Sequence, residues 1–255
     1  MTTFGSYARY YDLLYKDKDY RAEALYAHKR IREVVPDAHA LMELGCGTGN
    51  HAKYLVELGY ELHGVDISPS MLERARQQEL ASNGTGTGRP TFSQGDIRTV
   101  RTGKRYDAVI SLFHVMSYQT TNEDLLSVFQ TAKAHLRAGG VFIFDCWYGP
   151  AVLTERPSIR VKHLEDEKMS LTRIAEPVLH PNDNTVDVDY QVFIRDKTSD
   201  KVEELREKHV MRYLFRPEVD YFIETSGFQL INAAEWMTGK APGFDTWSIC
   251  FVVKA

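Results

Sequence analysis

The period of the hydrophobic positions changes several times along the chain, and each change marks an element. Between Asp19 and Val35, Ala22, Leu25, Tyr26, Ile31, Val34 and Val35 recur near helical spacing, and Pro36 stops the helix they predict. Ala40 to Leu44 is a short apolar run cut by a glycine-rich turn, and a helix is predicted from Asn50 to Leu58, ending at Gly59. The unit recurs as a strand at Glu61 to Val65 and a helix to about Leu80, with Ser68 as N-cap and Pro69 at the first helical position. After a polar loop at Asn83 to Gly88 come strands at Thr91 to Gln94 and Ala108 to Leu112, a helix at Asn122 to Leu136, and a strand at Val141 to Asp145. Strands alternating with helices predict a parallel sheet, and no internal repeat is visible.

Beyond Gly149-Pro150 the texture becomes alternating, β-branched and charged. Antiparallel strands are expected at Arg160 to Leu164, Met169 to Ala175, Thr185 to Arg195 and Glu203 to Phe215, with a hairpin turn at Asp196 to Asp200. A helix at Pro217 to Ser226, stopped by Gly227, precedes strands at Phe228 to Trp236 and Trp247 to Val253. The organisation read from this order is one α/β domain over residues 1–255. It has a helical lid at 1–35 and an antiparallel insertion at 151–216, laid over one edge or mouth of the sheet.

Composition narrows the class. The 255 residues are 43% hydrophobic and 26% charged, values of a folded globular chain. A net charge of -4, with basic residues spread along the sequence, gives no footprint for nucleic acid, so the default partner is a small molecule. No stretch reaches the ~20 apolar residues of a membrane span, and Met1 to Tyr20 is rich in Tyr, Lys and Asp, so a cytoplasmic chain is expected. Cys46, Cys146 and Cys250 show no C-x-x-C spacing, which predicts reduced, small buried residues.

The informative segment is Glu43 to Asn50, E-L-G-C-G-T-G-N, between a predicted strand and helix. Gly45, Gly47 and Gly49 allow positive-φ backbone and let a ligand approach the main chain, with a helix N-terminus facing it. The dinucleotide fingerprint would place a glycine where Asn50 stands. Glu43 would repel a pyrophosphate but suits a ligand carrying an amino group and a cationic sulfur. Asp66 ends the second strand in G-V-D-I-S, where a carboxylate accepts the hydroxyls of a ribose. Asp96, in Q-G-D-I-R, closes the third strand and can accept from an adenine amino group, with Ile67, Met71 and Ile97 as apolar walls. Taken singly, either aspartate could instead be a helix or turn cap.

These residues resemble the class I S-adenosylmethionine-dependent methyltransferases, which carry E/D-x-G-x-G-x-G after the first strand, an acid after the second and G-D after the third. The resemblance spans Tyr10 to Gly140 and the final strand pair. It implies a Rossmann-like, doubly wound, mostly parallel sheet of seven strands, the last one antiparallel between the fifth and sixth. It also implies S-adenosyl-L-methionine as cosubstrate, with Cys46 and Leu112 among the residues around it. The turn Leu136 to Gly140 departs from the family in lacking a proline before its two glycines.

The methyl acceptor must be met by other residues. Six of the 14 tyrosines, Tyr7, Tyr10, Tyr11, Tyr15, Tyr20 and Tyr26, lie in the first 26 residues; they read either as a lid facing a sulfonium or as packing on the sheet. Tyr10 to Ala24 is similar to the opening of methyltransferases that act on the amino group of nucleotide-linked deoxysugars. That resemblance implies that Tyr11 and Tyr15 line the cosubstrate and the acceptor amine. The segment after the fourth strand holds His114, which could take a proton from an attacking amine or hydroxyl, and Tyr118 on the acceptor side. A histidine satisfied by packing is the alternative. Trp147 and Tyr148 after the fifth strand could form an acceptor wall or pack against the insertion.

The other histidines show no ligand spacing, so no metal is expected, and no G-x-S-x-G elbow or P-loop occurs. The expected activity is methyl transfer to a nitrogen or oxygen of a small molecule, with an amino sugar or other small amine first among the candidates. A non-catalytic S-adenosylmethionine-binding module and a nicotinamide-dependent oxidoreductase are the rivals. Oligomeric state is open, a homodimer included.

Overall fold

The computed structural model describes residues 8–81 and 88–255. Tyr7 and most of the expected Asn83 to Gly88 loop lie outside them. Helices α1 (Ala8–Leu14) and α2 (Tyr20–Val34) lead into β1 (Ala40–Leu44), α3 (Asn50–Glu57), β2 (Glu61–Asp66), α4 (Pro69–Ala81) and β3 (Thr91–Gln94). Next come β4 (Tyr106–Ser111), a 3₁₀ turn at Val115–Tyr118, α5 (Asn122–His135) and β5 (Leu136–Tyr148). The chain continues through α6 (Gly149–Thr154), β6 (Arg160–Glu165), β7 (Met169–His180), β8 (Thr185–Asp196) and β9 (Val202–Leu214). It closes with α7 (Arg216–Thr225), β10 (Gln229–Glu235) and β11 (Ser248–Lys254).

The alternation of strand and helix produces the parallel order β3-β2-β1-β4-β5, and β11 runs antiparallel between β5 and β10. This is the doubly wound seven-stranded arrangement expected from the sequence. Two aromatic and aliphatic cores cover its faces. Phe129, Phe142, Phe144, Phe222, Phe228 and Phe251 fill one, beneath α5 and α7. Ala24, Ala27, Ile31, Ala52 and Leu55 fill the other, beneath α2 and α3.

Helix α2 is set by Asp19, whose carboxylate accepts from the Ala22 N–H at 2.9 Å as an N-cap should. Its buried face is Tyr20, Ala24, Ala27 and Ile31, whereas Leu25 is exposed. The apolar stripe read from the sequence is shifted: Ala24 and Ala27 join Ile31 on the buried face and allow a close approach, Tyr26, Val34 and Val35 pack at its border, and Leu25 drops out. Helix α6 was not foreseen. Gly149-Pro150 reads as a break but supplies proline at the start of a helix, where its missing N–H costs nothing.

The insertion is an antiparallel meander, β6-β7-β8-β9, with the Asp196 carboxylate accepting from the Thr198 and Ser199 N–H groups in the expected hairpin. It extends the sheet as well as covering its mouth. Trp147 and Tyr148 at the carboxyl end of β5 pair in parallel with Tyr213 and Leu214 of β9. The inner face of the meander, through Leu171, Val192 and Ile194, packs with Tyr10 and Leu14 of α1 and Met71 of α4. Helix α1 is thus held between the insertion and the carboxyl edge of the parallel strands.

Candidate functional site

Gly45, Gly47 and Gly49 all adopt positive φ, at 78°, 52° and 76°. The turn is drawn onto β2 by the Gly45 and Cys46 N–H groups, which donate to the Val65 carbonyl at 2.7 and 3.0 Å. A β-carbon on Gly45 would lie 2.6 Å from Val115 Cγ1, so the turn abuts the segment that carries His114. A β-carbon on Gly47 would meet nothing within 4 Å, which leaves an open cradle of main chain.

Asp66 closes the cradle. Its carboxylate accepts from the Gly47 N–H and the Ser68 N–H, each at 2.8 Å. Burial pushes its pKa upward, opposed by those N–H groups. Glu43 is buried at the end of β1; Oε1 lies 3.5 Å from His51 Nδ1, and Oε2 is buried without a hydrogen-bond partner. An orphaned carboxylate oxygen, a cradle of N–H groups and an anchored acid at successive strand ends fit a ligand with an ammonium and ribose hydroxyls. The chemistry of this donor set suits S-adenosylmethionine, and Glu43, Gly47 and Asp66 are the polar groups that line the cradle.

The other cosubstrate candidates divide. Asp96 sits at the expected strand end, but Arg98 grips it through two nitrogens, at 2.9 Å to Oδ1 and 2.6 Å to Oδ2, and bridges to Asp124 at 2.7 Å. The guanidinium lowers the Asp96 pKa. Ile67 is half exposed, whereas Met71, Ile97 and Leu112 are buried: Met71 under α1, Ile97 and Leu112 in the two cores. Cys46 is also buried, its sulfur 2.8 Å from where a Gly64 β-carbon would stand, and burial pushes its thiol pKa up. Among these side chains Ile67 offers the open apolar wall.

His114 follows β4 on strained backbone. Both Phe113 and His114 have left-handed φ, at 65° and 63°, a conformation that non-glycine residues hold at a cost of ~1 to 3 kcal/mol. Asp145, buried on β5, explains the turn: it accepts from the His114 N–H, with both oxygens at 3.2 Å, and from Ser248 Oγ at 3.1 Å. His114 Nδ1 lies 2.7 Å from Asp145 Oδ2, within ion-pair distance but off the line of a ring N–H hydrogen bond. The His114 side chain keeps 24% of its surface open.

Aromatic rings surround this pair. Tyr15 meets Phe113 edge-on at 5.0 Å and Tyr11 at 4.8 Å, so the two tyrosines expected at the site stand together beside the His114 turn. Trp147 lies 6.4 Å from the His114 ring. Tyr148 does not join them: successive strand residues point to opposite faces, and Tyr148 packs in the α5/α7 core with Cys146. Tyr118 accepts or donates across 2.8 Å to His209 of β9 and so faces the insertion. Helix α1 is clasped on three sides. Asp12 accepts from Thr48 of the glycine turn and from Arg74 and Gln78 of α4, and Tyr10 donates to Glu207 of β9.

Three features went unread in the sequence. Asp145 stands in a segment noted only for its aromatics; its place at the end of β5, one strand from His114, was the available signal. His51 appears among histidines without a role, yet it lies between Glu43 and Glu23, with Nε2 2.8 Å from Glu23 Oε2. On the inner face of the insertion, Arg173 stacks over Tyr190 at 4.7 Å, and its Nε and Nη1, like Glu207 Oε1, are buried without a hydrogen-bond partner. A cavity of about 490 Å³ opens nearby, lined by Tyr15, Lys18, Lys162 and their neighbours.

A methyltransferase domain family matches residues 41–140. The dTDP-3-amino-3,4,6-trideoxy-alpha-D-glucopyranose N,N-dimethyltransferase of Streptomyces venezuelae is 28% identical over 188 residues, 73% of this chain and 76% of that one. The fold is shared with an S-adenosylmethionine-dependent methyltransferase from Clostridium acetobutylicum, at TM-score 0.82 and 21% identity, over 96% of this chain and 95% of that one. It is shared also with CalS10, an S-adenosylmethionine-bound amino pentose methyltransferase from Micromonospora echinaspora, at TM-score 0.75 and 24% identity, over 96% and 95% of the two chains.

Proposed function

We propose that this chain, a class I S-adenosylmethionine-dependent methyltransferase, methylates the amino group of a nucleotide-linked amino sugar. The pairing of His114 with buried Asp145 beside the glycine turn carries the reading, because it is a base with an orienting acid placed where a methyl group would be delivered. The choice of an amino sugar rests on the relatives that act on such acceptors and on the unpaired polar atoms of Arg173 and Glu207 among the apolar side chains of the insertion's inner face. Neither rival reading gains support from an observation: a pure binding module has no need of the His114–Asp145 pair, and Glu43 disfavours a dinucleotide.

Bound S-adenosylmethionine supplies an electrophilic methyl group on a good leaving group. Glu43 and Asp66 hold and orient it, which turns a bimolecular encounter into an aligned one worth ~7 to 11 kcal/mol of barrier. Asp145 faces Nδ1 of His114 and leaves Nε2 to receive a proton. His114 would take that proton from the acceptor nitrogen, whose lone pair is then free for the methyl group that the bound cosubstrate would supply. Asp145 then stabilises the imidazolium. Tyr11, Tyr15 and Phe113 pack together beside this turn and would keep water away from it.

Helix α1 closes the mouth in this scheme, and residues 151–216 shape the acceptor pocket, with Arg173, Tyr190 and Glu207 reading the sugar nucleotide and Trp147 and Tyr118 flanking it. Asp96 shares its carboxylate between Arg98 and the adenine amino group in this scheme, and so holds the ring more weakly than Asp66 holds the ribose. A homodimeric, cytoplasmic enzyme belongs to the same proposal; no described helix is long and apolar enough to cross a membrane. Incubating the purified protein with S-adenosylmethionine and a panel of nucleotide-linked amino sugars tests it. Mass spectrometry should show methyl gain on the amine-bearing sugars alone. Gain on hydroxyl-only analogues, or on none of the panel, would refute the acceptor class.

A further inference from the structure

Glu23 stands in the first turn of α2, inside the Tyr10 to Ala24 segment but with no role assigned to it by that resemblance, and its carboxylate is almost buried, at 12% exposure. It gathers three partners from three parts of the chain. Oε1 accepts from Lys18 Nζ and, at 3.3 Å, from the indole N–H of Trp236 just after β10. Oε2 meets His51 Nε2 at 2.8 Å. Lys18 in turn lies 4.3 Å above the ring of Phe113, the neighbour of His114.

His51 has its other nitrogen 3.5 Å from Glu43 Oε1. A buried imidazole between two carboxylates is stable when it carries a proton on both nitrogens, because each anion then has a cationic donor. Burial alone would lower the His51 pKa, but Glu23 and Glu43 outweigh it and raise the value to about 9. One oxygen of Glu43 is thereby engaged, and the second is buried with no hydrogen-bond partner. A cation behind a buried carboxylate offsets the cost of its burial and keeps it from turning away.

We propose that Glu23 is a positioning residue for the cosubstrate: through His51 it fixes Glu43 so that its unengaged oxygen accepts from the α-ammonium of S-adenosylmethionine. This rests on the reading that Glu43 receives that ammonium. Without Glu23, His51 loses the anion that holds its proton, and Glu43 loses its cationic support. The affected part of the ligand is the amino-acid end, while the adenosine end, held by Asp66, is untouched.

The test compares two ligands that differ in that end. S-Adenosylhomocysteine carries the ammonium, and 5′-methylthioadenosine lacks it. By calorimetry, Glu23→Gln should weaken S-adenosylhomocysteine about 10-fold, as loss of a charge-assisted hydrogen bond does, and leave methylthioadenosine within about 2-fold. Glu23→Asp should recover part of the loss. Equal weakening of both ligands, or of neither, overturns the inference. Glu43→Gln separates the two levels: if it weakens the ammonium-bearing ligand selectively and Glu23→Gln does not, the positioning role fails while the reading of Glu43 stands. If Glu43→Gln is itself unselective, that reading fails. Should Glu23→Gln not fold, histidine NMR of the wild type decides. The His51 signal should move with S-adenosylhomocysteine and stay in place with methylthioadenosine, and any other pattern overturns the role.

Discussion

His114 and Asp145 meet across the carboxyl ends of two neighbouring parallel strands, Nδ1 2.7 Å from Oδ2, and Asp145 also holds the His114 backbone N–H. The acid therefore holds the left-handed backbone by a hydrogen bond and stands within ion-pair distance of the ring that this backbone presents. Such strain persists where surrounding contacts over-determine it. His114→Ala should lower kcat by about 10²- to 10⁴-fold, the usual worth of general-base help, and leave S-adenosylhomocysteine affinity nearly unchanged. Steady-state kinetics with calorimetry checks this, and wild-type kcat would reduce His114 to packing.

Asp145→Asn should act through His114. The amide keeps an acceptor for the N–H groups but loses the charge that stabilises an imidazolium. The expected result is a fall in kcat with S-adenosylhomocysteine affinity nearly unchanged, checked by steady-state kinetics with calorimetry. An unchanged kcat with a lowered Tm would assign Asp145 a purely structural part.

The two aspartates at the ends of β2 and β3 should behave differently. Asp66 is tied to the glycine turn, so Asp66→Ala removes both the proposed ribose acceptor and the partner of the Gly47 and Ser68 N–H groups. Loss of one such set of hydrogen bonds predicts an affinity for S-adenosylhomocysteine weaker by about 10- to 100-fold and a lowered Tm. Asp96 is already neutralised by Arg98, so Asp96→Asn should cost much less affinity. Calorimetry on both variants ranks them, and an equal loss would mean that Arg98 releases Asp96 when the ligand binds.

Much of this was legible from residues with local meaning. Glycines at alternate positions demand positive φ wherever they sit, Ser68-Pro69 announces a helix start, and an acid at the end of an apolar run reaches the ligand edge of a parallel sheet. What escaped depends on contacts between distant segments. Glu23 and His51 are 28 residues apart and His114 and Asp145 are 31 apart, and nothing in either neighbourhood names its partner. Arg98 is next but one to Asp96, yet that a guanidinium would fold back on the predicted adenine acceptor is a matter of rotamer, not of pattern. Tyr148 failed for a simpler reason: the alternation of a strand turns it away from Trp147.

The pair Glu23 and His51 makes stability depend on pH in a defined direction. Glu23 is lowered from an ordinary 4.5 to about 2; burial would raise it, but His51 and Lys18 prevail. Its contribution is present above pH 4.5 and is lost as pH falls toward 2. His51 is raised from 6.5 to about 9, so its contribution is complete below pH 6.5 and is lost as pH rises through 9. The plateau should lie between pH 4.5 and 6.5 as far as this pair decides it. Thermal unfolding between pH 6.5 and 9.5 should show the wild type losing ~2 kcal/mol that a His51→Gln variant, less stable at the start, does not lose. Parallel curves for the two proteins would place the proton elsewhere.

Gly45 links the cosubstrate turn to the proposed base. Two separate obstacles oppose any side chain there: a φ of 78° and a β-carbon position 2.6 Å from Val115 Cγ1, with Val115 following directly on His114. Gly47 shares the positive φ but faces open space, so the pair separates backbone strain from collision. Gly47→Ala should cost the strain alone, ~1 kcal/mol, and act mainly on cosubstrate affinity by filling the cradle. Gly45→Ala should cost ~1 to 3 kcal/mol more, since a β-branched side chain in packed surroundings yields little, and it should lower kcat by pushing the His114 turn away from Asp145. Chemical denaturation with steady-state kinetics on both variants checks the contrast. If Gly45→Ala lost only affinity, with kcat intact, the glycine turn and the His114 segment would be mechanically independent, and their contact through Val115 would carry no part of the chemistry.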